Sequence, residues 1–165
     1  MRYQRFEELP VWSDAQLLAQ KMYEWTAGEE FRGRHSLKDQ LERAALSVSN
    51  NIAEGFERGT NREILAFLYI ARGSAGEVRS MLALCDRMPQ FERTKVTVLG
   101  LRKLAESCSK QLKGWADNLQ NSSYQGQRYV NREEREREVQ EKRGDAFMEK
   151  LRNSLPANHP LRREG

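Results

Sequence analysis

The chain has 165 residues, which is enough for one ordinary domain with a tail and too few for two large domains. Apolar residues make up 38% of it and charged residues 32%, with only four prolines and eleven glycines. This composition excludes collagen-like and transmembrane classes, and it disfavours an all-β sandwich, which needs many turn residues. The formal net charge of +4 is a small excess that does not by itself indicate a nucleic-acid binder.

Four helical patterns are predicted before residue 122. The first spans about residues 9–26, the second runs from an N-cap at Ser36 to Arg58, the third from about residue 60 to Met88, and the fourth from about residue 94 to 121. Each has an apolar stripe with alternating spacings of three and four residues, which places the stripe on one helix face. In the fourth helix the stripe is Val98, Leu101, Ala105, Cys108, Leu112, Trp115 and Leu119.

Helices of this kind, joined by short connections, predict an all-α fold. We expect an antiparallel up-down-up-down four-helix bundle over residues 1–121, because each helix has one apolar face to bury against its neighbours. Residues 122–165 are expected to form a separate, charged C-terminal tail, helical or disordered.

The tail alternates Arg and Glu over residues 132–143, with Val139 as the only apolar residue there, and then has a short apolar stripe. Opposite charges spaced by four can hold a solvated helix without a core. One interpretation is a partly helical and partly disordered appendage. The other is an amphipathic helix that docks on a protein partner through Phe147, Leu151 and Leu155.

Residues that could perform catalysis or bind a metal are scarce. His35 lies in a predicted loop and His159 in the tail, and the two cysteines, Cys85 and Cys108, form no CxxC pair or Cys/His cluster. No HExxH, GxSxG, Walker or GxGxxG motif is present. We therefore expect a non-enzymatic protein with no catalytic residue, cofactor or metal site.

Cellular location follows from the same sequence. No apolar signal core follows the N-terminus, and no window approaches the length of apolar sequence that spans a bilayer. The cysteine pattern fits a reducing compartment. A cytoplasmic protein without a membrane partner is expected.

Polar and small residues interrupt the apolar stripes of the second and third helices. The small residues in 71–76 would let two helices approach closely, and an unmet buried donor or acceptor there costs about 1–3 kcal/mol. We predict a structural polar network that fixes helix register. Its members are Gln40, Arg43, Asn51, Glu54, Ser74 and Glu77. The alternative is a buried ligand or a di-metal carboxylate site, whose Glu-x-x-His motifs this chain lacks.

Three ordered motifs resemble the four-helix bundle family of proteins encoded in bacterial 23S rRNA intervening sequences. The resemblance covers about residues 6–120, and the tail lies outside it. The motifs are Ser36–Val48 with Asn51–Phe56, Phe67–Leu68 with Ile70–Glu77, and Phe6–Leu9 with Val11–Trp12. The chain departs from the family at Ser49-Asn50, where proline followed by serine is frequent.

This resemblance implies a cytosolic bundle that assembles as a ring, typically a homopentamer. The chain is similar also to the accessory variability determinant proteins of diversity-generating retroelements, which bind nucleic acid and a reverse transcriptase. The matched polar positions are signature residues of the family, and the resemblance attaches no catalytic role to them.

A basic stripe runs along the fourth helix, opposite its apolar stripe. Five cations fall within an arc of roughly 100° and span about 27 Å of helix. They are Lys95, Arg102, Lys103, Lys110 and Lys113. The stripe could follow a phosphate backbone, and a ring of subunits would multiply it. The other interpretation is an ordinary solvated face.

Two functions remain open from the sequence. In the first, a non-enzymatic oligomeric bundle is an accessory factor that binds structured RNA or DNA through the basic outer face. In the second, it is a homo-oligomeric protein-interaction scaffold with no nucleic-acid role. Its protein partner, a reverse transcriptase or another protein, would be met through the tail or through an exposed Trp12 and Tyr23.

Overall fold

The structure is a computed structural model of the full chain, and it describes residues 3–58, 60–121, 136–137, 139–144 and 146–150. Its contacts divide the chain into two units, residues 1–124 and 125–165. All regular secondary structure in the described residues is helical, with no strand, so the expected all-α class is confirmed. None of the described helices is both long and apolar enough to cross a membrane.

Four long α-helices occupy the described part of the first unit. They are α1 (Pro10–Thr26), α2 (His35–Arg58), α3 (Asn61–Cys85) and α4 (Lys95–Gln120). Short 3₁₀ turns lie at Phe6–Glu8, Glu29–Phe31 and Pro89–Thr94. The fourth apolar stripe therefore lies within a single uninterrupted helix.

The helix boundaries differ in two places from the sequence prediction. α2 begins at His35 rather than after a cap at Ser36, and α3 ends at Cys85 rather than at Met88. Past Cys85 the chain makes a turn and then the 3₁₀ segment that starts at Pro89, because proline fits a first helical turn but cannot continue the preceding helix. The α3 start is as expected: the Thr60 hydroxyl accepts a hydrogen bond from the Glu63 N–H at 3.3 Å.

The hydrophobic core lies where the inner faces of the four helices meet. α1 packs against α2 and α4, and α3 packs against α2 and α4. Three aromatic rings close one end of this core, with Trp25, Phe31 and Phe91 packed at centroid separations of 4.8–5.4 Å. The largest fully buried side chains are Phe91, Leu18, Met22, Leu41, Ile52, Leu68, Leu82, Leu101, Leu112, Val48, Val78 and Val98.

In the second unit, residues 136–137, 139–144 and 146–150 are helical. Phe147 is 65% exposed and Met148 40% exposed. The predicted docking residues Leu151 and Leu155 lie outside the described residues.

Candidate nucleic-acid interface

The outer face of α4 displays the predicted basic stripe. Burial of the apolar stripe on the inner face turns the intervening positions outward, because residues three and four apart share one side of a helix. Arg102, Lys103, Lys110 and Lys113 are exposed, and Lys95 at the first turn is partly buried. The five cations therefore lie on the surface of one helix.

Three of the five cations have a carboxylate partner nearby in sequence. Lys95 bonds Glu92 at 2.7 Å, Lys110 bonds Glu106 at 2.9 Å and Lys113 bonds Asp117 at 2.5 Å. The hydrogen bond with Glu92 raises the pKa of Lys95 above its ordinary value. These pairs are solvated, so they add little stability and exchange readily with other ions.

Arg102 and Lys103 differ from these three cations. Neither forms an ion pair with any other residue that the structure describes, and both side chains are exposed. An exposed cation without a partner is the one most available to an external anion. Arg102 and Lys103 are therefore the cations of this face that an external anion can bind without replacing an ion-paired carboxylate.

A second feature of this face was not found from the sequence. Glu106 bonds Lys110, and this hydrogen bond and the lysine charge lower the pKa of Glu106 against the opposing effect of desolvation. The charges of Arg79 on α3 and Arg102 on α4 lower it further. The charges of three cations thus act on one carboxylate, and Lys110 is the one that forms an ion pair with it. The sequence could not indicate this, because it does not show how α3 packs against α4. That packing brings Arg79 of α3 near a stripe that was predicted from α4 alone.

The predicted polar network divides between an interior group and the surface. At the α2–α3 contact the Ser47 and Ser74 hydroxyls lie 2.9 Å apart, and Asn51 Nδ2 donates to the Ser47 hydroxyl at 2.9 Å and to the Ser47 carbonyl at 2.7 Å. Ser74 also donates to the Ile70 carbonyl at 3.2 Å. The structure therefore connects Asn51 with Ser74 through Ser47, which was not among the predicted members.

The remaining predicted members lie on the surface. Gln40, Arg43, Glu54 and Glu77 are exposed, and Glu54 bonds Arg58 one turn along α2. They are spaced like the interior residues, but the helix rotation that sets burial turns them outward. The α2–α3 group is thus a local contact of three side chains.

Close approach of α2 and α3 occurs at Gly55. A Cβ built there would lie 2.7 Å from the Cβ of Phe67, which is closer than any ordinary carbon contact. Gly55 is buried, whereas Gly73 faces open space. Of these two glycines, which lie in the motifs that carry the family resemblance, Gly55 is the one that packing requires.

One expected docking residue is placed differently from the prediction. Trp12 is partly buried against the core and stacks edge-on with Phe6 at 5.2 Å, so it does not form an exposed anchor. The hydrophobic contact with the turn before α1 draws it inward. Tyr23 is 45% exposed.

The two thiols are buried in the core. Desolvation raises the pKa of Cys85 to about 11 and, with a smaller contribution from the Asp14 charge, that of Cys108 to about 12. Both are free thiols. Among the described residues, no group of three His, Cys, Asp or Glu side chains is arranged to hold a metal ion.

A family model now adds to this geometry. The model described as 23S rRNA-intervening sequence protein matches residues 7–114, about two thirds of the chain. The chain belongs to that family. The match ends within α4 and includes all five stripe cations, so the family region contains the basic face, and residues 122–165 lie beyond it. A search of curated protein sequences found no significant match to this chain.

Proposed function

We propose that the first unit is an antiparallel up-down-up-down four-helix bundle. Contacts between the first half of one helix and the second half of another support it: Gln111 donates to Asp14 at 2.6 Å, and Gln120 donates to the Tyr69 hydroxyl at 2.7 Å. Neighbouring helices that run in opposite directions make such contacts. The bundle would cover residues 1–121 and the charged tail residues 122–165.

We infer that this protein is a non-enzymatic accessory factor that binds structured RNA or DNA through the outer face of α4. The observation that carries this proposal is the exposed pair Arg102 and Lys103, which has no ion-pair partner among the described residues. Each phosphate that such a cation neutralises releases counterions, which favours binding at low salt. Membership of a family named for 23S rRNA intervening sequences adds an RNA-linked setting to the proposal.

The ion-paired lysines contribute to the same proposal. Lys110 and Lys113 are 75% and 58% exposed in their side chains, so a phosphate oxygen can replace the carboxylate that each one holds. None of the exposed residues of α4 that the structure describes is aromatic; besides the cations they are polar, glycine or aliphatic. The ligand would therefore be recognised by its backbone and shape rather than by its base sequence.

We further propose that the protein is a cytoplasmic homo-oligomer, with a pentamer favoured by the family resemblance. Exposed apolar side chains on α3 support self-association because burying them between subunits would remove apolar surface from water. They are Ile70 and Leu84, which are 50% and 53% exposed. A ring would repeat the α4 face in every subunit and raise the overall affinity by avidity. The resemblance to retroelement accessory proteins supports a reverse transcriptase as its protein partner.

A homo-oligomeric protein-interaction scaffold is the second candidate function. The same exposed apolar side chains favour it, together with Leu17 at 40% and Tyr23 at 45% exposure on α1. A scaffold would copurify with a protein and without nucleic acid. The absorbance ratio of untreated protein at 260 and 280 nm separates these two outcomes.

Charge reversal tests the nucleic-acid proposal. Lys103, Lys110 and Lys113 are changed together to Glu, and binding to a labelled RNA hairpin is titrated over a range of salt. We expect weaker binding and a flatter dependence of affinity on salt concentration. The slope of log K against log salt concentration should fall by the equivalent of about three phosphate contacts. The matched control reverses three exposed cations elsewhere, Lys21, Arg32 and Arg62, for the same change in net charge. Equal losses in the two triple variants would contradict a site on α4.

A further inference from the structure

Arg79 of α3 lies at the same level of the bundle as the basic stripe of α4. The Tyr69–Gln120 hydrogen bond fixes the register of α3 against α4. Arg79 lies ten residues after Tyr69, and Lys110 lies ten residues before Gln120. In an antiparallel pair both are therefore about 15 Å from that bond, at the same level of the bundle.

Three charged residues of α4 lie near the same level as Arg79. Arg102, Glu106 and Lys110 are four residues apart and lie on one face of the helix, with Glu106 bonded to Lys110 at 2.9 Å. Arg79 and Arg102 are close enough for their charges to act on the same carboxylate. One negative charge thus stands among three positive charges, so the group retains a net positive charge of two.

Arg79 has an unsatisfied donor in this arrangement. Its Nε is buried and has no hydrogen-bond partner among the described residues, although the side chain as a whole is only partly buried. A guanidinium offers five donors in a planar fork, which suits the oxygens of a phosphate better than a single lysine-bound carboxylate. The buried Nε is itself out of reach of a ligand, and Glu106 forms its ion pair with Lys110, so the donors left for a second anion are the terminal N–H groups of the two guanidinium forks.

We propose that Arg79, Arg102 and Lys110 form a phosphodiester-binding site across α3 and α4, and that Glu106 is a built-in competitor for it. The inference rests on the proposed nucleic-acid function and gives it a defined site. A backbone phosphate of duplex RNA takes the place of Glu106 on Lys110 while its other oxygens accept from the two arginines. Glu106 thereby weakens binding and keeps the unloaded surface from attracting anions indiscriminately.

Glu106→Gln is the decisive variant, because it keeps the side-chain shape and removes the competing charge. Glu54→Gln is the matched control: Glu54 bonds Arg58 four residues along α2, away from the α4 stripe, and its side chain is 49% exposed against 43% for Glu106. Both variants change the net charge by one. Affinity for a fluorescently labelled RNA hairpin with a long stem is measured for each across a salt series, and thermal unfolding verifies that each is folded.

We expect Glu106→Gln to tighten RNA binding by about fivefold and to steepen its salt dependence by about one phosphate contact, while Glu54→Gln changes affinity by less than about twofold. Adding Arg79→Gln to Glu106→Gln should abolish the gain. Adding Arg79→Lys should leave only part of it, since the charge stays and the fork is lost. Equal gains in the two single variants, or a gain that is independent of Arg79, would overturn the inference.

Other outcomes separate this inference from the proposed function. RNA binding by the wild type with equal gains in both variants refutes the competitor site alone. No binding by the wild type or by Glu106→Gln at any salt concentration refutes both proposals. Inorganic phosphate is the remaining probe: if it raises the melting temperature of Glu106→Gln but RNA does not bind, the site takes a free anion and the RNA assignment is wrong.

Discussion

The α2–α3 contact and the outer face of α4 use polar side chains in opposite ways. At the contact, Ser47, Asn51 and Ser74 satisfy one another, and little of their bonding capacity is directed to solvent. On the α4 face, Arg102 and Lys103 are exposed and have no ion-pair partner among the described residues. The difference teaches that a polar side chain buried with a hydrogen-bond partner has a structural role. An exposed cation that has no ion-pair partner can instead bind an external anion.

The comparison is sharpest between two adjacent residues of α4, Leu112 and Lys113. Leu112 is 1% exposed, so Leu112→Ala should lower the free energy of unfolding by about 2–5 kcal/mol through lost burial and the cavity left behind. Lys113→Ala loses only a solvated ion pair and should change it by less than about 0.5 kcal/mol. Urea unfolding followed by circular dichroism measures both. Similar losses in the two variants would show that the outer face is covered rather than free.

The buried thiols extend the comparison to reactivity. Because the pKa values of Cys85 and Cys108 are about 11 and about 12, thiolate at pH 8 is scarcer in the folded state than in the unfolded state. We expect a thiol reagent to react with the folded protein at least about a hundredfold more slowly than with the protein in denaturant. Rapid labelling under native conditions would contradict the packing of α3 and α4.

The raised pKa values of the two thiols also predict how the stability of the fold changes with pH. A group whose pKa is raised on folding stabilises the fold fully below its unfolded pKa, and this contribution is lost as the pH rises through the folded value. The free energy of unfolding should therefore fall between the ordinary thiol value of 9.0 and about pH 12. Replacing both cysteines with alanine is the control, which should flatten that part of the profile.

Two glycines test the close approach of α2 and α3. In Gly55→Ala the new Cβ meets the Cβ of Phe67 at 2.7 Å, so overpacking of about 1–3 kcal/mol should outweigh a gain of about 1 kcal/mol in helix propensity. Gly73→Ala has no atom within 4 Å of its new Cβ and should be stabilising by about 0.5–1 kcal/mol. Thermal unfolding should move in opposite directions for the two variants. A stabilised Gly55→Ala would mean that the helices separate easily there.

The sequence was sufficient for the all-helical fold because each apolar stripe carries its own periodicity. Val98, Leu101 and Leu112 recur at the spacing of one helix face, and all three are buried. This information is local, since it depends only on the 3.6-residue turn. The approximate positions of all four helices follow from it together with capping residues such as Thr60.

The membership of the candidate site could not be predicted in the same way, because it depends on how one helix is placed against another. Arg79 reaches the charge of Glu106 only through the register of α3 on α4. Ser47 bonds Ser74 only because the rotation of both helices points them into one contact, and the same rotation turns Glu54 outward to Arg58. The spacing of residues along a single helix gives neither the register nor the rotation of one helix against another.

The smallest expected effect concerns a single hydroxyl at the α2–α3 contact. Ser74→Ala removes the hydrogen bond with Ser47, and we expect the free energy of unfolding to fall by about 1 kcal/mol, since the Ser47 hydroxyl loses a partner in a partly buried place. Ser80→Ala on the same helix alters an exposed side chain and should stay within about 0.5 kcal/mol. A double variant with Ser47→Ala should cost less than the sum of the single changes, because the two residues share one bond. Strict additivity would show that the contact is only steric, and the contrast with the α4 face would then rest on packing rather than on satisfied polar groups.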